Sequence, residues 1–208
     1  MSLLAPPACL VCRSPLATSP RGPALCARCR AAIEAAPGAL LRADGIDGGF
    51  AALPYTGAGR KLVAALKFGR LRSAADLAAA LIEARAPPVL LDGVLVPVPA
   101  SPLRLARRGM DPARELAAAL AARAGLPAAD PLRRRDLRRQ RGGGRERRMA
   151  RPPRIGVAAP APRIALLVDD VVTTGATVDA CARALRAAGS VRVRVLALAA
   201  VPSAHEGM

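Results

Sequence analysis

Apolar positions along the chain recur at helical spacing in some stretches and alternate or run together in others. Leu62, Val63 and Leu66 share one face, which predicts a helix over 60–68. Ser73 with Asp76 has the form of a capping box, and Leu77, Ala80, Leu81 and Ala84 supply the apolar side of a helix running to Glu83. Pro87 and Pro88 stop it. Residues 89–98 read as a strand with a turn at Asp92-Gly93, ending in Pro97-Val98-Pro99. Asp111 as N-cap, Pro112 at the first helical position and Gly125 beyond the last turn bracket a further helix. Residues 164–168 form a buried strand, 169–176 a loop, and 177–188 a helix closed by Gly189. Val191, Val193 and Val195 alternate with Arg192 and Arg194 ahead of the apolar run 196–199, which predicts another strand. Strand, loop, helix and strand at this spacing make a βαβ unit and imply a parallel sheet.

The N-terminal region is different in kind. It is rich in cysteine, with a short helix expected over 27–36. Residues 37–49 carry four glycines and two aspartates among few apolar residues, and read as a linker. The expected organisation is a Cys-rich module over 1–36, a linker over 37–49 and an α/β domain over 50–208. A length of 208 residues suits one medium domain with a small appendage.

Composition narrows the function. The chain has 30 Arg but only 2 Lys, Lys61 and Lys67, and a formal net charge of +17. Between Arg133 and Arg154 there are 11 Arg against Asp136 and Glu146, a net +9. Such a segment is either a solvated loop or a contact for a phosphate-bearing partner, since each neutralised phosphate releases counterions. Phe50, Tyr55 and Phe68 are the three aromatic residues, too few for a platform on which single-stranded bases stack. The apolar content excludes disorder throughout. Charges or prolines interrupt every apolar stretch, so no membrane span is expected. The N-terminus has no basic n-region, and Pro6 and Pro7 break its apolar letters, so a cytoplasmic location is expected.

Two patterns carry chemistry. Cys9-Leu-Val-Cys12 and Cys26-Ala-Arg-Cys29 are two CxxC knuckles, each able to present two thiolates to a tetrahedral Zn²⁺. The residues between them turn but cannot form a core, so folding of the module is expected to depend on the metal. Cys181, on one helical face with Val178 and Leu185, reads as a packed core residue. The second pattern is Leu166-Leu167-Val168-Asp169-Asp170-Val171-Val172-Thr173-Thr174-Gly175-Ala176-Thr177. An apolar strand delivers two carboxylates to its carboxyl end, where open α/β sheets bind ligands. A glycine and three threonines then lead into a helix N-terminus, whose N–H groups and dipole suit a phosphate. Beside them, the carboxylates suit a vicinal diol or a Mg²⁺ bound to one. Together these features point to a ribose 5-phosphate moiety. The chain has no P-loop, and the triple glycine at 142–144 follows no strand.

The stretch from Asp169 to Thr177 resembles the motif by which type I phosphoribosyltransferases bind 5-phosphoribosyl 1-pyrophosphate (PRPP). The order of a four-Cys module, Leu66-Lys67-Phe68-Gly69, Val96-Pro97-Val98-Pro99, Arg108-Gly109 and Gln140 in a basic loop is similar to the ComF family of zinc-ribbon plus phosphoribosyltransferase-like proteins, linked to natural competence and DNA uptake. This chain departs from the family after Arg108-Gly109, where Met110, Asp111 and Pro112 stand in place of an aromatic residue, Asn and Gln.

The resemblance implies a type I phosphoribosyltransferase-like parallel sheet flanked by helices, with a small N-terminal zinc ribbon. It implies that Asp169 and Asp170 contact the ribose hydroxyls and the charge developing at C1, with Mg²⁺ bound alongside PRPP. Val172, Thr173, Thr174, Gly175, Ala176 and Thr177 would hold the 5-phosphate. The turn through Ala100 and Ser101 would be the pyrophosphate loop, and residues 133–151 a lid. The expected partners are PRPP or another ribose phosphate, single-stranded DNA bound weakly along 133–154, and other DNA-uptake proteins. Two other readings stand beside this one. One is a metabolic phosphoribosyltransferase with a small base or amine acceptor; the other is a zinc-ribbon nucleic-acid binder with a sensory nucleotide pocket. No residue of the sequence marks the acceptor, and the lone histidine, His205, lies in the tail.

Overall fold

The computed structural model describes residues 7–17, 24–68, 71–135 and 153–202. In chain order the elements are α1 (Ala27–Glu34), β1 (Ala39–Leu41), β2 (Gly49–Pro54), α2 (Gly57–Phe68), α3 (Leu71–Arg85), β3 (Val94–Pro97), α4 (Pro102–Arg108), α5 (Pro112–Ala124), β4 (Leu132–Arg134), β5 (Ile155–Val157), β6 (Ile164–Val172), α6 (Ala176–Ala187) and β7 (Arg192–Ala200). The main sheet has the order β1-β2-β7-β6-β3, and β4 pairs with β5 in a separate antiparallel ribbon. Strands β2, β7, β6 and β3 run parallel, with β1 antiparallel on one edge. This is the α/β architecture with a mostly parallel, helix-flanked sheet that the βαβ spacing implies.

Side-chain alternation assigns the two faces of the sheet. Leu166 and Val168 of β6 and Leu196 and Leu198 of β7 pack with Leu62, Leu66, Ile82, Leu116 and Leu120 from α2, α3 and α5. Ala165 and Leu167, with Val193 and Val195, face Val178, Cys181 and Leu185 of α6 and Leu132 of the small ribbon. With almost no rings available, close approach substitutes for bulk: Ala51, Ala52, Ala197 and Ala199 in the central strands are completely buried.

Several local expectations are corrected. Ser73 lies inside α3, which begins at Leu71, so no capping box forms there. Residues 89–98 are not one strand: Pro88–Leu90 is a 3-10 turn, and only Val94–Pro97 joins the sheet. The stretch 37–49, expected as a linker, contains β1, which pairs with β2 through Ala39↔Ala51 and Leu41↔Gly49. Its Asp47 carboxylate accepts from the Val193 N–H at 2.8 Å and pairs with Arg186 at 2.7 Å.

The Cys-rich region is joined to the same core. Cys9, Leu10, Val11, Leu25, Cys29 and Ile33 belong to the buried cluster that contains Leu62 and Leu66. Arg85, at the end of α3, donates to the carbonyls of Ile33 (2.7 Å), Ala36 (2.8 Å) and Ala52 (3.0 Å). One guanidinium thereby caps the C-terminal end of α1 and ties it to β2. Arg133 and Arg154 flank the basic segment, whose residues 136–152, with Gln140, lie outside the described residues, as do Gly69 and His205.

Candidate functional site

Strand β6 runs four residues further than expected, to Val172, and those residues make the site. Its neighbour β3 stops first. Pro97 pairs with Val168, the Val98 N–H donates to Val168 O at 2.9 Å, and Pro99, which has no N–H, cannot extend the ladder. The next N–H on that edge belongs to Asp170, and the Asp169 carboxylate accepts it at 2.8 Å. Strand β7, by contrast, stays paired to Val172↔Ala200. A notch therefore opens at the carboxyl end of the sheet, bordered by Asp169, Asp170 and the loop after β3.

The two carboxylates, adjacent in sequence, leave the strand on opposite faces. Asp170 turns to the α2 side, where Lys67 Nζ stands 3.1 Å from its Oδ2. Asp169 turns to the α6 side. Burial pushes the Asp169 carboxyl well above the ordinary carboxylate range, and the neighbouring Asp170 charge adds to the shift. Burial also raises Asp170, against the opposing pull of the Lys67 and Arg108 charges. Carboxyls raised in this way favour a bound cation, whose charge offsets the cost of ionising them away from water.

Beyond Val172 the chain turns through Thr173 and Thr174, both exposed, into α6. Gly175 is the N-cap at φ 77, in the left-handed region that favours glycine. No side chain caps this helix, so the N–H groups of its first turn are presented without a competing side-chain acceptor. An oxyanion is the chemistry that such an end accepts.

On the other wall, Ala100 and Ser101 follow β3 at the same end of the sheet. Ser101 caps α4, its hydroxyl oxygen accepting from the Arg104 N–H at 3.4 Å. The Ala100 N–H donates to Asp111 Oδ2 at 3.3 Å, while Asp111 Oδ1 accepts from the Ala113 N–H at 3.1 Å as the N-cap of α5. One buried carboxylate thus fixes both a helix start and the loop. The sequence marked Asp111 only as a cap and gave Lys67 no role. Its place in Leu66-Lys67-Phe68-Gly69 was one hint and rarity another: Lys67 is one of only two lysines in a chain of arginines.

The four cysteines meet. The Sγ atoms of Cys9, Cys12, Cys26 and Cys29 lie within 4.8 Å of one another, and Cys12 and Cys26 are 3.6 Å apart. All four are reduced. Arg13, at φ 66, makes the left-handed turn of the first knuckle, and its N–H donates to Cys9 O at 3.0 Å. Hydrogen bonds from Ser14 lower the Cys12 thiol to about 5. Burial, then the three other sulfurs, pushes Cys29 up to about 12. Four thiols at tetrahedral spacing that cannot all ionise unaided fit a Zn²⁺ ion, whose Zn–S bonds are about 2.3 Å. Cys181 is fully buried, and burial lifts its thiol to about 12, as suits a packing residue.

Residues 104–206 match the family model described as phosphoribosyl transferase domain, a span that includes Asp169 and Asp170 and the turn into α6. No curated protein sequence matches the chain. Among solved structures, one described as the allosteric regulatory enzyme of purine biosynthesis is similar at a TM-score of 0.39 and 17% identity over 60% of this chain. This chain spans 25% of that protein's length. The matched span, just under half of the chain, holds β6, the turn and α6 of the notch within a mixed α/β fold whose main sheet is mostly parallel. No helix among the described residues is long and apolar enough to cross a membrane.

Proposed function

We propose that this is a PRPP-binding, phosphoribosyltransferase-like protein of the ComF type, acting in DNA uptake, with a structural zinc in its N-terminal module. The observation that supports the ligand is the meeting of Asp169, Asp170, the uncapped start of α6 and the Ala100–Ser101 turn at one end of the sheet. In this reading residues 172–177 hold the 5-phosphate, and Ala100 and Ser101 face the pyrophosphate. Asp169 and Asp170 contact the ribose hydroxyls and stabilise positive charge at C1 as pyrophosphate leaves. Mg²⁺, when bound, would neutralise pyrophosphate oxygens. Asp169 and Asp170 are the carboxylates that would hold it beside the ligand. Lys67 keeps Asp170 oriented and partly neutralised until the ligand arrives.

Calorimetry of the full chain with PRPP and Mg²⁺ tests this directly. Binding should be readily measured in the wild type and weakened at least tenfold when Asp169 and Asp170 are both changed to Asn. No binding by the wild type overturns the reading; unchanged binding by the variant moves the site elsewhere.

The DNA role is supported by the net +9 segment and by the order of motifs along the chain. Arg133 pairs with Asp130 at 3.1 Å, and the test variant leaves that pair in place. About six phosphates engaged would give a log–log salt slope of about −4 for single strands. Changing Arg138, Arg139, Arg145 and Arg148 to Ser should abolish the mobility shift of single-stranded DNA while sparing PRPP binding. Loss of PRPP binding with DNA binding intact would assign these arginines to the nucleotide site instead.

A further inference from the structure

Two of the three aromatic residues lie inside: Phe50 is buried, and Tyr55 packs against the main cluster. The third, Phe68, is 68% exposed. A lone exposed ring on a surface carries little meaning. Two features set this one apart. It is the last residue of α2, directly after Lys67, whose ammonium reaches Asp170. It is also held in place: the Arg108 guanidinium lies over the ring, 4.9 Å from its centroid. Arg108 ends α4, the helix that leaves the Ala100–Ser101 turn, and Gly109 at φ 71 closes that helix directly after it. The ends of α2 and α4, one from each wall of the notch, therefore meet through a cation–π contact at its mouth.

An arginine on one side of a ring orients it and leaves the other side as a flat apolar surface. A planar nitrogen heterocycle is the group that such a surface takes best, because it stacks without needing particular hydrogen-bond partners. An aliphatic amine gains little there.

We propose that Phe68, oriented by Arg108, is the stacking surface for a planar heterocyclic base carried on C1 of the ribose phosphate, so that the ligand is of the nucleoside 5′-monophosphate class; this rests on the ribose-phosphate reading of the Asp169–Asp170 site. Phe68 and Arg108 thereby decide what the site accepts at C1, and the carboxylates and the α6 turn decide how the sugar phosphate is held.

The full chain with Mg²⁺ is titrated with ribose 5-phosphate, adenosine 5′-monophosphate and uridine 5′-monophosphate. At least one nucleotide should bind more tightly than the sugar phosphate, by between about fivefold and about a hundredfold, the range expected of one base–aromatic stack. Phe68→Leu should erase that preference and leave ribose 5-phosphate binding as it was. Because the chain has no tryptophan, Phe68→Trp installs its one indole, which can be excited apart from Tyr55 and whose emission the nucleotide should quench and ribose 5-phosphate should not. Equal binding of sugar phosphate and nucleotides by the wild type, a preference that survives Phe68→Leu, or an unquenched Trp each overturns the stacking role. If PRPP and ribose 5-phosphate both fail to bind, the underlying reading of the site has failed first.

Discussion

At the scale of single residues the site is a balance between burial and charge. Asp169 and Asp170 sit where ionisation is costly, and the one cation within contact distance among the described residues is Lys67, on the Asp170 side. A carboxyl raised by folding holds its proton more tightly in the native than in the unfolded chain. Stability should therefore decline as pH rises from the ordinary carboxylate value of about 4 towards the raised native values. Without Mg²⁺, the wild-type melting temperature should fall across that range more steeply than that of the Asp169→Asn, Asp170→Asn variant. Parallel slopes in a series of melts would contradict the raised values. Asp47 has the opposite sign. Although burial opposes it, the Val193 N–H and Arg186 hold its carboxyl below the ordinary value, so its contribution is lost in acid, not in base.

At the scale of elements, each wall of the notch is set by a helix end. Asp111 starts α5 and holds Ala100 with its second oxygen. Asp111→Ala should cost about 1 kcal/mol as a lost cap, and so lower the melting temperature by roughly 2–4 °C. It should also weaken PRPP binding, because the loop after β3 loses its anchor. A drop in stability with PRPP affinity unchanged would remove that loop from the site. Helix α2 is placed by Gly59, where a Cβ would overlap the Pro54 carbonyl oxygen. Gly59→Ala should thus push α2 off the end of β2, carry Lys67 away from Asp170, and cost about 1–3 kcal/mol in a denaturant melt.

At the scale of the whole molecule, the Cys-rich region and the sheet share one core. The cysteine knuckles contribute Leu10, Val11 and Leu25 to the cluster that backs the sheet, and Arg85 clamps α1 to β2. If the cluster holds zinc, chelation or Cys26→Ala should lower the thermal stability of the entire chain in a single transition. A sheet domain that melts at its wild-type temperature after metal loss would show the two parts to be energetically separate. Arg85→Ala, which leaves buried carbonyls without a partner, should instead split one transition into two or broaden it.

Local signals were enough for much of this protein. Helix α5 is bracketed by Asp111, Pro112 and Gly125 because capping chemistry acts within one turn, and the β6–α6–β7 unit is legible because burial imposes its own period on the side chains. The CxxC spacing likewise brought four sulfurs to one point. What lay beyond local reach depended on strands and helices distant in the chain. Ala39–Leu41 is a strand only because β2 lies beside it, and Ser73 is helical because α3 packs at its full length. Asp169 and Asp170 flank a notch only because β3 ends at two prolines, leaving the edge of β6 unpaired there. The pairing of Lys67 with Asp170, and of Phe68 with Arg108, joins residues about a hundred and about forty positions apart. No period or spacing encodes such contacts; the packing that brings the C-terminal ends of α2 and α4 together creates them.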